Sequence, residues 1–119
     1  MGISNLKGKT LVKVTIKEDK FSGSDVVTFS TKCGNEYIMK HYQECCETVT
    51  LEDITGDFDD LLGKEIISAN ESSQSSEDYD GDETWTFYTI ETIDSLVSLR
   101  WYGCSNGYYS TGVEFYLNN

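Results

Sequence analysis

Arg100 is the only arginine in this 119-residue chain, and it stands in the segment RWYGCSNGYYS (100–110) with Trp101, Tyr102, Tyr108 and Tyr109. A guanidinium offers planar, bidentate donors, and tyrosines add rigid rings with a hydroxyl at low entropic cost. Together they form the usual chemistry of an interaction surface. The same set could sandwich a purine ring and hold a phosphate. Strand alternation directs Arg100 and Tyr102 to one face and Trp101 to the other. Arg100, Tyr102, Asn106, Tyr108 and Tyr109 are therefore candidates for contact with a partner or ligand. The plainer alternative is a core hairpin whose rings pack on a helix, the common fate of strand aromatics.

Other chemistries are weakly written. Asp78-Tyr79-Asp80-Gly81-Asp82-Glu83 places oxygen ligands around a glycine, as calcium requires. Gly81 comes too early for a twelve-residue calcium loop, however, and Thr89 stands where that loop needs a glutamate. A solvated acidic loop is the favoured reading. Cys33, His41 and one of Cys45 or Cys46 could bind zinc, but no Cys-x-x-Cys knuckle is present, and adjacent cysteines in a strand point to opposite faces. The favoured reading there is small buried hydrophobes with an exposed thiol. The single histidine has no nucleophile signature beside it, and neither phosphate-cradling glycine motif occurs. No metal and no cofactor is expected, and the chain reads as non-enzymatic.

Charge is the second strong signal. The net charge is −12, with about +3 over 1–43, −15 over 44–94 and zero over 95–119. Such a field repels nucleic acid and anionic membranes and attracts basic surfaces. Direct nucleic-acid binding is disfavoured. A basic protein is the expected partner, for example a nucleic-acid-binding protein or a nuclease. The acids offered to it are Asp57, Asp59, Asp60, Asp78, Asp80 and Asp82. Simple solubility explains the same acids equally well. No 18-residue apolar run or basic-then-apolar leader follows Met1, so a cytoplasmic protein with four thiols is expected, with no membrane association. Homo-oligomerisation stays open.

These residues must be carried by a largely β framework. One domain, 1–119, fits the length. Leu11–Lys17 alternates as a half-exposed strand. Val26–Thr31 and Glu36–Tyr42 read as a hairpin about Cys33-Gly34-Asn35, and Thr48–Leu51 as a short run. Ile54, Phe58, Leu61 and Leu62 fall at i, i+4, i+7 and i+8, with Gly63 as a stop, which predicts a short helix over about 54–62. Ile66–Ala69 resumes an extended run. The serine-rich acidic stretch 71–83 predicts a mobile loop. Three strands follow, Trp85–Ile93, Leu96–Gly103 and Tyr109–Leu117, the last two joined as a hairpin through Asn106-Gly107. Trp85, Phe87, Val97, Leu99, Val113 and Phe115 are the expected core. The fold class is thus α+β, mostly antiparallel, with six or seven short strands and one helix.

The segments CCETVTLEDITGDFDDLLGKEI (45–66), WTFYTI (85–90) and RWYGCSNGYYSTGV (100–113), taken together, resemble a family of small phage proteins known as a domain of unknown function. The resemblance covers the chain from about Asp25 onward. It implies a phage or prophage origin and action inside an infected bacterium, and it carries no activity or site. Three readings of function are carried forward. One is an inhibitor that blocks a host defence protein through the acidic surface. The alternative is a sponge that sequesters a nucleotide signal at Arg100, or else a structural or housekeeping phage module.

Overall fold

The computed structural model describes residues 2–18, 25–44, 46–78, 81–107 and 109–118. The described chain forms eight strands: β1 (Leu11–Glu18), β2 (Asp25–Thr31), β3 (Glu36–Lys40), β4 (Thr48–Thr55), β5 (Ser68–Asp78), β6 (Gly81–Glu91), β7 (Leu96–Ser105) and β8 (Glu114–Asn118). They build two four-stranded sheets, ordered β1-β2-β3-β8 and β4-β7-β6-β5, with antiparallel pairing throughout.

The alternation of apolar residues decides which faces meet. Val27 and Phe29 of β2, Tyr37 and Met39 of β3 and Phe115 of β8 are buried from the first sheet. Val49, Tyr88, Ile90, Val97, Leu99 and Trp101 are buried from the second. The first sheet's rings interlock, with Tyr37 stacked on Phe115 at 5.4 Å and Phe29 tilted against Phe115 at 6.1 Å. The buried Trp101 indole N–H meets the Met39 sulfur at 3.2 Å, a contact that joins the two sheets. The N-terminal 3-10 turn, Ile3–Leu6, closes one end of this core. It is stitched there by Gly8 N–H to the Ile66 carbonyl at 2.8 Å, Ile66 N–H to the Lys9 carbonyl at 2.8 Å and a bridge between Thr10 and Glu65.

The single, mostly antiparallel β domain stands, but the expected helix does not: the described residues form eight strands and two short 3-10 turns. In place of a helix over 54–62, β4 continues through Thr55, and Phe58–Asp60 forms one 3-10 turn capped by the Asp57 carboxylate, which accepts from Asp59 N–H at 2.9 Å. Gly56 decides this locally. Its φ of +96° is foreign to a helix, and an added Cβ would lie 2.6 Å from the Leu96 carbonyl. Ile54, Phe58, Leu61 and Leu62 still pack on the core, though from a strand and a turn.

Two further expectations change. Residues 71–78 belong to β5 and 81–83 to β6, and the two strands pair in unbroken register from Ser68↔Glu91 to Asp78↔Gly81. Small polar side chains tolerate an edge strand wetted on both faces, and β6 supplies the ladder. The Asn106-Gly107 step does not close a hairpin either. Gly107 has φ +92°, but no described non-glycine residue has positive φ, so the paired left-handed conformation of the expected turn is absent at Asn106. The chain instead crosses to the other sheet, where β8 pairs with β3.

That crossing runs close over β7. A Cβ on Gly103 would meet the Thr111 Cβ at 2.8 Å and Val49 Cγ2 at 3.1 Å. Gly103→Ala is expected to destabilise the fold by about 1–3 kcal/mol through overpacking, read as a lower urea midpoint at unchanged m-value. An unchanged midpoint would show that the crossing is free to move aside.

Candidate functional site

The outer face of the second sheet carries the candidate site. On β7, Leu99 and Trp101 face the core, so Arg100 and Tyr102 face out. On β6, Thr86, Tyr88 and Ile90 are the buried set, so Trp85 and Phe87 share the outer face. Cross-strand pairing aligns Tyr102 with Trp85 and Arg100 with Phe87, while Trp85 pairs with Gln74 of β5. A bulge in β4 at Glu52 brings its carboxylate to Arg100.

The resulting depression, about 380 Å³, is lined by Glu52, Gln74, Trp85, Phe87 and Arg100. Arg100 Nη2 lies 2.8 Å from Glu52 Oε1, whereas Arg100 Nε is buried with no acceptor in reach. The Trp85 and Tyr102 rings are 5.4 Å apart and tilted by 53°. The Tyr102 hydroxyl donates to Glu83 Oε1 at 3.1 Å. Desolvation of the phenol, followed by that carboxylate, pushes its pKa up to about 12. The arrangement offers half-exposed rings, a neutralised guanidinium and two carboxylates. It suits stacking and cation contacts, and it lacks a free positive group for an anion.

The expected site residues divide. Arg100 and Tyr102 belong to this face. Asn106 lies off the end of β7, where Gly81, Asp82, Glu83, Cys104 and Ser105 line a second depression with it and Cys46. Tyr109 is half-buried in the crossing to β8. Tyr108 and Asp80 lie outside the described residues, and Asp78 ends β5. Asp57, Asp59 and Asp60 are exposed at the opposite end, where Ser95 Oγ donates to the Asp60 carbonyl at 3.0 Å. Asp82 pairs with Ser105, nine residues along β7 from Leu96, so the two acidic groups are about 30 Å apart. They are two patches rather than one surface. Lys64, the one cation of the acidic block 44–94, is held by Asp94 at 2.7 Å, and this contact lowers the Asp94 pKa.

Trp85 and Phe87 were expected inside. Their strand carries bulky residues on both faces, and the parity is resolved by Trp101. The small Thr86 sits opposite this large inward indole. The outward parity of Arg100, carried across the ladder, is the signal that finds Trp85, Phe87 and Gln74.

The structure does not bring His41 and Cys33 together. Cys33 and His41 fall on opposite sides of the five-residue β3, and no group of three metal-binding side chains occurs among the described residues. Cys33 and Cys104 are free, while Cys46 is disulfide-bonded, unlike the thiol expected there. His41 instead forms a buried pair with Glu47, Nε2 to Oε2 at 2.8 Å, the two side chains 3% and 0% exposed. Its Nδ1 is 2.6 Å from the Gly112 carbonyl, and Glu47 Oε2 also accepts from Glu44 N–H at 3.0 Å. Both side chains are withdrawn from solvent, and the pair ties the 41–47 passage to the Gly112 backbone.

The chain belongs to the family described as domain of unknown function (DUF7448), whose model matches residues 4–115. No curated protein and no solved structure matches it.

Two outcomes follow from this chemistry. His41→Ala is expected to cost about 3–5 kcal/mol, because it leaves the Glu47 carboxylate buried without its partner, whereas His41→Leu with Glu47→Met costs less. Equal losses in urea titrations would contradict the pairing. The exposed Cys33 thiol has its pKa lowered, first by the Thr31 hydroxyl at 3.2 Å and then by the Asn35 backbone. Thr31→Val should therefore raise that pKa and slow Cys33 alkylation at neutral pH, with the rate recovering as pH rises. A rate–pH profile identical to the parent's would refute that cause.

Proposed function

We propose that this member of the DUF7448 family is a phage- or prophage-encoded, non-enzymatic binding protein that inhibits a host protein with a basic surface, acting in the cytoplasm of the infected bacterium. The observation that carries the reading is the half-exposed Trp85–Tyr102 pair beside Arg100, set among the Glu52 and Glu83 carboxylates. Exposed tryptophan, tyrosine and arginine are the residue types that dominate binding energy at protein interfaces. Lysine or arginine side chains of a partner would find ring faces and carboxylates together there. The acidic patches at the two ends of the sheet would steer such a partner without supplying most of the affinity.

The nucleotide-sponge alternative has less support. A phosphate would have to compete with Glu52 for Arg100 and tolerate Glu83 nearby. Lys13 and Lys17, which a neighbouring copy could bring to assist it, project from the outer face of the first sheet, as their pairing with Ser30 and Val26 requires.

The test is to isolate the partner by affinity capture from infected cells and measure its binding by calorimetry. Trp85→Ala should weaken the complex by about 2 kcal/mol or more, roughly thirtyfold. Changing Asp57, Asp59 and Asp60 to Asn should mainly slow association and flatten the salt dependence. Affinity that is unaffected by both Trp85→Ala and Arg100→Ala would exclude this face.

A further inference from the structure

β5 is an edge strand of unusual openness. It spans eleven residues, Ser68–Asp78, pairs with β6 without a bulge and ends the order of its sheet. No described strand pairs with its other side, and residues 71–77 are all exposed. Folded proteins normally protect such an edge with charged side chains, proline, a bulge or a short strand. The sequence SANESSQSSED holds no proline and no lysine, its acids stand only at 71, 77 and 78, and the register is unbroken, so 72–76 are left uncharged. The outer backbone donors and acceptors of this stretch form a template for one more strand.

The side chains select the occupant. We infer that β5 pairs antiparallel with β5 of a second copy, joining two four-stranded sheets into one of eight strands about a two-fold axis. Such an axis runs perpendicular to the sheet and sets one residue opposite itself, since directly opposed residues must share a face. Centred on Ser73, the pairing sets Glu71 against Ser75 and Glu77 against Ala69. Centred on Ser75, it sets Ser73 against Glu77. Neither register opposes two like charges, and the centre is a ladder of serine and glutamine that can hydrogen-bond across the seam. Centring on Gln74 would set Glu71 against Glu77 and is disfavoured. A parallel arrangement in register would stack every acid on its own copy.

The seam also bears on the aromatic face. Gln74 of β5 lines the depression that holds Trp85 and Arg100. Pairing would continue the sheet past Gln74 and bring two such depressions onto one surface. A two-fold target would then be engaged at both, with the gain expected of linked sites.

Sedimentation equilibrium of the isolated chain tests the inference and needs no host partner. A dimer is expected, and it should tighten as salt rises, because acids on both strands flank the seam. Partner binding through the carboxylate-rich face should instead weaken with salt, so the two readings fail independently. Ser73→Glu with Ser75→Glu opposes like charges in either favoured register and should weaken the dimer about tenfold or more. Both positions are exposed, so circular dichroism and the urea midpoint should stay near the parent's. The amides of 71–77 should exchange more slowly as concentration rises in the parent and not in the variant. A monomer at every concentration and salt, as expected if the edge takes only a foreign strand, would overturn the proposal. So would a dimer indifferent to the two glutamates.

Discussion

The buried pair of His41 and Glu47 is the interaction on which the two-sheet arrangement depends. The chain passes from the first sheet to the second between β3 and β4 and returns between β7 and β8. His41 and Glu47 lie on the first passage, and Gly112, whose carbonyl meets the imidazole, lies on the second. Both ring nitrogens face acceptors, so the ring is satisfied only when imidazole and carboxylate together hold two protons. A pair so placed gains little over well-packed apolar residues. What it adds is direction: each acceptor must sit at a set distance and angle, which fixes both passages where apolar contact would let them slide.

With the passages fixed, the inner surfaces have little freedom. Trp101 fills the centre, Thr86 concedes space beside it, and the indole N–H ends on the Met39 sulfur. Tyr88 is the exception in this interior. Its hydroxyl is buried without a hydrogen-bond partner, and desolvation, with Glu71 adding to it, raises its pKa. Inward parity on β6 and β7 necessarily sends Trp85, Phe87, Arg100 and Tyr102 outward. The aromatic face is thus the geometric complement of the core. It departs from core logic in leaving two large rings half in water, a choice that packing alone does not favour.

The first sheet was legible because its signals are local. Alternation in β1, and Gly34 at φ +92° between β2 and β3, are written within a few residues. The illegible parts involve competition between distant residues. The stripe Ile54–Leu62 has helical spacing, but the Leu96 carbonyl beside Gly56 rules out the helix, and Leu96 is forty residues away. β5 has almost no apolar residue to announce it, so its identity comes from β6. Asn106-Gly107 carries a hairpin's residues, yet Phe115 is needed in the first sheet against Tyr37, and the chain crosses to deliver it. For the site, Arg100 and Tyr102 were readable from strand parity alone. Trp85, Gln74 and Glu52 required the register between strands, and for Glu52 a bulge as well.

Charge follows the same architecture. Pairing puts Lys13 and Lys17 on the outer face of the first sheet beside Thr15, Thr28 and Ser30, and Lys40 on that face over the Tyr42 ring at 4.8 Å. The acids gather at the ends and rim of the second sheet. A net charge of −12 therefore does not spread as a uniform shell. The outer face of the first sheet sets these lysines among Glu36 and Glu114, whereas Arg100 on the second lies among Glu52 and Glu83, so the two faces differ in charge. At physiological salt, fields fade within about 8 Å, so an approaching macromolecule senses the face in front of it more than the total. The acidic composition, which by itself says only that anions are unwelcome, is divided by the two sheets into faces of different charge.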